Sequence, residues 1–427
     1  MHIALITAGG AGMFCGSCMH DNTLARALMS AGHQVTLIPL YTPIRVDELD
    51  VSEHRVFLGG INVYLAGTWP WWSKIPRFLR SWLDSPVLLR QVSRFAVSSD
   101  AKDLGALTVA LLRGDHGPHR AAIDQFVDFV GRELRPDVVV LSNALLGGVV
   151  PSLKRSFHGP VWCLLQGDDI FLGDLVEPYR RQAFDEMYQI VGQFDGFLVH
   201  SEYYRKFMAD YLRFPLEKAQ VVPLGIDFGG HDGTPRVQAS RPFTIGYFAR
   251  ICPEKGLHNL IDAFRRLHAR QPETRLVAAG YLGARDQTWF ESIRQSARDL
   301  GEAFEYRGSP PGLAEKVQFL KSIDVLSVPT SYREPKGLYV LEALANGVPV
   351  VQPRHGSFPE LLEETQGGLL VDADDAGALA AGLERMLLEP ELRFGLAQAG
   401  YARVRERFSM ARMAEETTRV LLADGPK

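Results

Sequence analysis

A chain of 427 residues is too long for one comfortable hydrophobic core and suits two domains of about 200 residues each. Apolar residues at 46% and charged residues at 22% exclude wholesale disorder, and a net charge of −4 gives no reason to expect nucleic acid as a partner. No run of about 18 apolar residues occurs, so no membrane-spanning helix is expected.

His2–Thr7 reads as a first strand, entered without the charged flank and cleavage site of a signal peptide, which together with four cysteines points to a cytoplasmic protein. A glycine loop follows, then a helix from about Asp21 to Ala31 with Leu24, Ala27, Leu28 and Ala31 on its apolar face and Gly32 as C-cap. Val35–Leu40 is the second strand. The segment Thr68–Arg94 breaks the pattern: Trp69, Trp71, Trp72 and Trp82 alternate with Lys74, Arg77 and Arg80. It reads as an insertion that is either a lid over the first domain or a peripheral contact with a lipid-linked acceptor at the inner membrane face.

Asp137–Ser142, Val161–Gln166, Gly196–Ser201 and Gln220–Leu224 are the next strands. The polar stretch Phe228–Pro242 reads as a linker. The alternation then restarts with Phe243–Ala249, Arg275–Gly280, Phe304–Arg307, Asp324–Pro329, Pro349–Gln352 and Gly368–Val371. A last helix, about Met410 to Leu422, is expected to pack across the domains. The fold class is α/β: two doubly wound Rossmann-like domains, 1–227 and 243–409, facing across a cleft and binding ligands at the carboxyl ends of their strands.

The strongest chemical signal is Glu334-Pro-Lys-Gly-Leu-Tyr-Val-Leu-Glu342. A strand ends before it and a helix follows, so Lys336, Gly337 and Leu338 fall at a helix N-terminus, where free N–H groups favour an anion such as a diphosphate. Glu334 would reach sugar hydroxyls and Glu342 ribose hydroxyls; the plain alternative is a surface helix with two solvated acids. Arg250 and Lys255 follow the first strand of the second domain and supply fixed cations for a leaving diphosphate. No Asp-x-Asp pair stands after a strand in this half.

The loop Gly9-Gly-Ala-Gly-Met-Phe-Cys-Gly-Ser-Cys-Met-His20 fails as a dinucleotide fingerprint, because Cys15 stands at the third glycine position and no acid closes the second strand. Cys15, Cys18 and His20 lack a clear fourth metal ligand. The remaining reading is a cleft loop in which Gly10 and Gly12 let the backbone approach a ligand. Ser357-Phe-Pro-Glu360 reads as a capping box.

Taken together, Arg250 and Lys255, the Glu334/Glu342 pair, Asn346-Gly-Val-Pro-Val-Val351, Gly367-Gly-Leu-Leu-Val371, Pro223-Leu-Gly-Ile-Asp227 and the early glycine loop with Gly32-His33 resemble glycosyltransferase family 4. The resemblance implies the GT-B fold, a nucleoside-diphosphate sugar as donor substrate rather than a bound cofactor, retention of anomeric configuration and no required metal. It implies that Arg250 and Lys255 hold the diphosphate, Glu342 the ribose and Glu334 the donor sugar, with Arg307 near the base. Two departures stand out. Lys336 adds a cation where the family has an apolar residue, and Gln166 replaces the strand-end histidine, with Asp168 and Asp169 following at once. Gln166 and Asp168 are therefore the candidates for acceptor-side catalysis, and a glutamine that cannot titrate leaves a non-catalytic nucleotide-sugar-binding protein as the rival reading.

Overall fold

The computed structural model describes residues 1–10, 15–58, 101–238 and 240–423. Gly12 and the Trp-rich segment 68–94 lie outside the described residues. The chain divides into two units, Met1–Gly225 with Met410–Lys427, and Ile226–Ser409.

The first unit holds β1 (His2–Thr7), β2 (Gln34–Pro39), β3 (Val138–Leu141), β4 (Val161–Leu164), β5 (Gly196–Val199) and β6 (Ala219–Val221) in one sheet of order β2-β1-β3-β4-β5-β6. All pairings are parallel, β1 meeting β2 from His2 opposite Gln34 to Thr7 opposite Pro39. Strands buried on both faces need continuous apolar runs, which Val138–Leu141 supplies in full. One face of the sheet packs around Phe126, Met187 and Phe197, the other around Leu24, Leu28, Val140 and Trp162.

The second unit repeats the plan with β7 (Phe243–Phe248), β8 (Thr274–Ala279), β9 (Phe304–Tyr306), β10 (Val325–Leu326), β11 (Val350–Pro353) and β12 (Gly368–Val371) in the order β12-β11-β10-β7-β8-β9. In each sheet the order reverses beside the first strand, between β1 and β3 and between β7 and β10. In an open parallel sheet, that reversal opens a crevice at the carboxyl ends where ligands bind.

Three expectations are corrected. The helix expected from Asp21 begins at Gly16 and runs to Ser30, with Cys15 as its N-cap. Cys15–His20 shows no apolar period, so its helical state is set by packing: Cys18 and His20 are buried. The stretch Phe228–Pro242 belongs to the second unit, fastened by Gly233 N–H on Asn346 Oδ1 (3.1 Å) and by Arg236 on Asp324 (2.6 Å). The final helix, Met410–Ala423, expected to pack across the domains, belongs to the first unit, where Met413, Ala414, Val420 and Leu421 join a core cluster with Leu24 and Leu28.

Candidate active site

The two loops at the reversal point of the second sheet carry the strongest sequence motifs. After β7 the chain runs through Ala249–Lys255 into the helix Leu257–His268. Gly256, at φ +72°, makes the turn, and a Cβ there would sit 1.8 Å from the Pro329 carbonyl oxygen. That close approach locks the loop after β7 against the loop after β10. The second loop ends at Gly337, φ +77°, which opens the helix Leu338–Ala345.

Glu334 is the centre of this arrangement. Its carboxylate is almost fully buried and receives Lys255 Nζ at 2.7 Å, Tyr339 Oη at 3.0 Å and Tyr332 Oη at 3.1 Å. The other oxygen faces the backbone N–H groups of Lys336 and Gly337, both at 3.4 Å. Burial alone would raise the glutamate pKa, but Lys255 and the tyrosine hydroxyls outweigh it and hold the carboxyl below its ordinary value. The same burial and the Glu334 charge push both tyrosine pKa values up, so they stay neutral donors. The ammonium of Lys255 also lies 5.0 Å and 5.1 Å from the ring centres of Tyr332 and Tyr339.

The loop backbone is pinned from behind. Ser357 N–H donates to the Glu334 carbonyl (2.8 Å) and its hydroxyl to the Pro335 carbonyl (2.7 Å). This corrects the capping-box reading: the helix Phe358–Thr365 does begin there, but the Ser357 hydroxyl makes no cap hydrogen bond. Gly356 is required beside it, since a Cβ would meet Glu334 backbone atoms at 2.5 and 2.6 Å.

Lys255, Glu334, Lys336, Gly337 and Leu338 are thus brought together, with Lys336 buried and Leu338 opening the helix. Arg250 is exposed on the same loop as Lys255, its Nε 3.3 Å from Cys252 Sγ. Glu342 lies one turn further along the helix, buried, and pairs with Lys316 Nζ at 2.7 Å. Arg307 follows the edge strand β9, where its guanidinium pairs with Glu305 at 3.2 Å. The structure gives it no contact with the Glu334 cluster.

In the first unit, Gln166 stands just past the end of β4. Its amide donates to Asp21 Oδ1 (2.8 Å) and to the Ser142 carbonyl (3.1 Å), so it is tied to the start of the first helix and the end of β3. Asp168 is buried and turned to the backbone: one oxygen accepts Ala144 N–H (2.5 Å), the other Gln166 N–H (3.0 Å). Burial pushes its pKa up to about 6. Asp169 accepts from Tyr204 Oη at 2.6 Å. Gly10 spends its N–H on the Pro43 carbonyl (3.3 Å).

Sequence reasoning missed two sets of residues here. Tyr339 sits inside the glutamate motif and Tyr332 two residues ahead of it, and this nearness to Glu334 in the chain was the available signal. His20 and Asp21 are the other set: His20 Nδ1 is 3.7 Å from Asp21 Oδ1, and its ring meets His200 edge-on at 4.5 Å between centres. His200 follows β5 and contacts the Val222 carbonyl through Nδ1 (3.0 Å). Residues 20, 21, 166 and 200 therefore form one polar cluster at the carboxyl edge. Among the described residues no three His, Cys, Asp or Glu side chains converge as a metal-binding group.

A sequence model of the family described as glycosyl transferases group 1 matches residues 235–403. The D-inositol 3-phosphate glycosyltransferase of Actinosynnema mirum is 32% identical over 285 residues, 62% of this chain and 68% of that protein. Across four enzymes of that description the chain spans 52% to 68% of the curated relatives' length. Two of the solved structures that align over nearly the whole chain illustrate the likeness. Sucrose-phosphate synthase from Thermosynechococcus elongatus has 18% identity and a TM-score of 0.72, covering 99% of this chain and 98% of that one. Anabaena HepE in complex with UDP and glucose has 16% identity and a TM-score of 0.68, covering 99% of each. At such identities the likeness carries the fold alone, which is GT-B, with two Rossmann-like domains.

Proposed function

The chain belongs to the group 1 glycosyltransferases, and we propose that it is a retaining, metal-independent member that moves a hexosyl-type sugar from a nucleoside-diphosphate sugar to a hydroxyl of a glycan, lipid-linked or small-molecule acceptor. The observation that carries this reading is the buried Lys255–Glu334 pair, held with two tyrosine hydroxyls at the start of a helix and at the reversal point of a parallel sheet.

Breaking the bond between the sugar and the diphosphate builds negative charge on the departing oxygen. Arg250 and Lys255 are the fixed cations for that charge, and the first amides of the helix Leu338–Ala345 add their dipoles. Glu334, kept ionised, is an acceptor-only group for the hydroxyls of the donor sugar. Glu342 takes the ribose hydroxyls while Lys316 balances its charge. The departing diphosphate itself takes the acceptor's proton, so the first unit has to orient the acceptor rather than supply a strong base. Gln166 and the His20–Asp21 pair serve that purpose, and Asp168 acts behind Gln166 by holding its backbone.

A thermal-shift panel of UDP-, GDP- and ADP-sugars, run with EDTA present, tests donor binding, because a ligand bound only by the folded state raises the melting temperature. Release of free nucleoside diphosphate from the stabilising donor then separates a transferase from a protein that only binds nucleotide sugars. The reading fails if no donor stabilises the chain, and the catalytic part of it fails if donors bind but are never cleaved.

A further inference from the structure

The amino edge of the second sheet, opposite the loops that hold Lys255 and Glu334, contains a cavity of about 190 Å³. Its wall comes from residues 232–236, from the residues just ahead of β10 and β11, and from the first turns of the helix Pro390–Arg407. Three cations line it, Arg236, Lys321 and Arg393, against two carboxylates, Asp232 and Asp324.

The carboxylates are already engaged. Asp324 accepts from Arg236 (2.6 Å) and from the Ser240 hydroxyl at one oxygen, and from Thr244 N–H (2.8 Å) at the other. Asp232 pairs with Lys321 at 3.2 Å on the exposed rim. Arg393 is left over. It is 3% exposed, donates through Nη1 to the Met386 carbonyl (2.5 Å), and lies 5.0 Å from the ring centres of both Phe243 and Phe394. Among the described residues no carboxylate lies within ion-pair distance of its guanidinium. Asp324 is near enough only to offset part of the burial that disfavours its charge.

A guanidinium carries five N–H donors and keeps its proton even when buried. Removed from water without a counter-charge, it is a costly group, and an anion in the adjoining space relieves that cost. Its planar fork matches two oxygens of a phosphate group, with Arg236 and Lys321 supplying further positive charge from the wall. The volume leaves room for phosphate or a small phosphomonoester. We propose that this cavity is a phosphate-class anion site, distinct from the donor site, in which Arg393 with Arg236 and Lys321 binds inorganic phosphate or the phosphate of a small phosphomonoester.

Isothermal titration of the full chain at low salt tests this, with inorganic phosphate in one arm and glucose 6-phosphate in the other. The tighter of the two identifies the source of the phosphate. The proposal expects one site in the wild type, retained in Arg250→Ala, which takes a cation from the donor site and leaves the buried Lys255–Glu334 pair intact. It expects at least tenfold weaker binding in Lys321→Met and loss of binding in Arg393→Gln. Lys321 is half-exposed, so its variant folds and decides the question even if Arg393→Gln does not. Absence of binding in the wild type, binding unchanged in Lys321→Met, or binding abolished in Arg250→Ala would each overturn the proposal.

Discussion

Glu334 is a carboxylate taken out of water and kept ionised by one lysine and two phenols. Removing only the lysine strands a buried charge. Lys255→Ala is therefore expected to lower stability by about 3–5 kcal/mol, and to slow transfer by about 10²–10³ if Lys255 meets the leaving diphosphate. Glu334→Gln keeps the shape and the hydrogen bonds to the tyrosines, so its loss should fall on turnover more than on donor affinity. Urea unfolding and donor-hydrolysis kinetics on both variants check the pair; full turnover in both would remove the site assignment. Asp168 behaves in the opposite sense. Its pKa is raised from 3.8 to about 6, so between those values the folded chain holds a proton that the unfolded chain has released. Stability from this group is thus present at low pH and lost as pH rises through about 6, by about 3 kcal/mol in all. Comparing urea midpoints from pH 4 to 7, Asp168→Asn should flatten that slope; an unchanged slope would show that another group carries it.

At the scale of elements, the sheets were legible and the clusters were not. Strands buried on both faces, such as β3, β4 and β5, follow from short apolar runs because their composition has little freedom. The edge strands β6 and β9, which carry Gln220 and Glu305, follow instead from the turn residues around them. The two loops that hold Lys255 and Glu334 were legible too, since their residues lie close together in sequence around Gly256 and Gly337. The His20–Asp21–Gln166–His200 cluster was not, because only the strand order β2-β1-β3-β4-β5 brings those chain positions to one edge. Ser357 shows the limit of a motif: a capping-box pattern is present, but its hydroxyl finds the Pro335 carbonyl, a partner distant in sequence. The two loop glycines differ in a way that sequence does not reveal. Gly337→Ala brings a Cβ no nearer than 3.3 Å to the side chains of Leu361 and Phe358, so it should cost little beyond the left-handed backbone, about 1–2 kcal/mol. Gly256→Ala places its Cβ 1.8 Å from the Pro329 carbonyl oxygen and forces the loop after β7 away from the loop after β10. It should cost more than Gly337→Ala in urea unfolding and also weaken nucleoside-diphosphate binding. Equal costs would mean that the contact between the loops is not under constraint.

At the scale of the whole molecule, the chain leaves the first unit at Gly225, builds the second from Ile226 to Ser409, and returns at Met410. The returning helix Met410–Ala423 is part of the first unit's core. Met413 and Ala414 are fully buried, Val420 and Leu421 nearly so, and Thr418 Oγ1 lies 3.0 Å from His33 Nε2. The second unit, by contrast, takes all six strands of its sheet, the Glu334 cluster and the Lys316–Glu342 pair from residues before Ser409. Ending the chain after Ser409 should therefore damage the two units unequally. Burial of a large apolar side chain is worth about 1.5–3 kcal/mol, so the loss of three such side chains amounts to a large share of a domain's stability. The uncovered face around Leu24 and Leu28 should bind a hydrophobic dye, and amides of β1 and β2 should exchange faster with solvent. Amides of β7 and β10 should keep their protection, and a nucleoside diphosphate at 100 times its Kd should still stabilise the second unit by about 2.7 kcal/mol. Hydrogen exchange read peptide by peptide, with and without nucleoside diphosphate, measures both effects in one experiment. Loss of protection spread evenly over both sheets would show that the units do not unfold separately, and that the final helix supports the donor site as well as the first core.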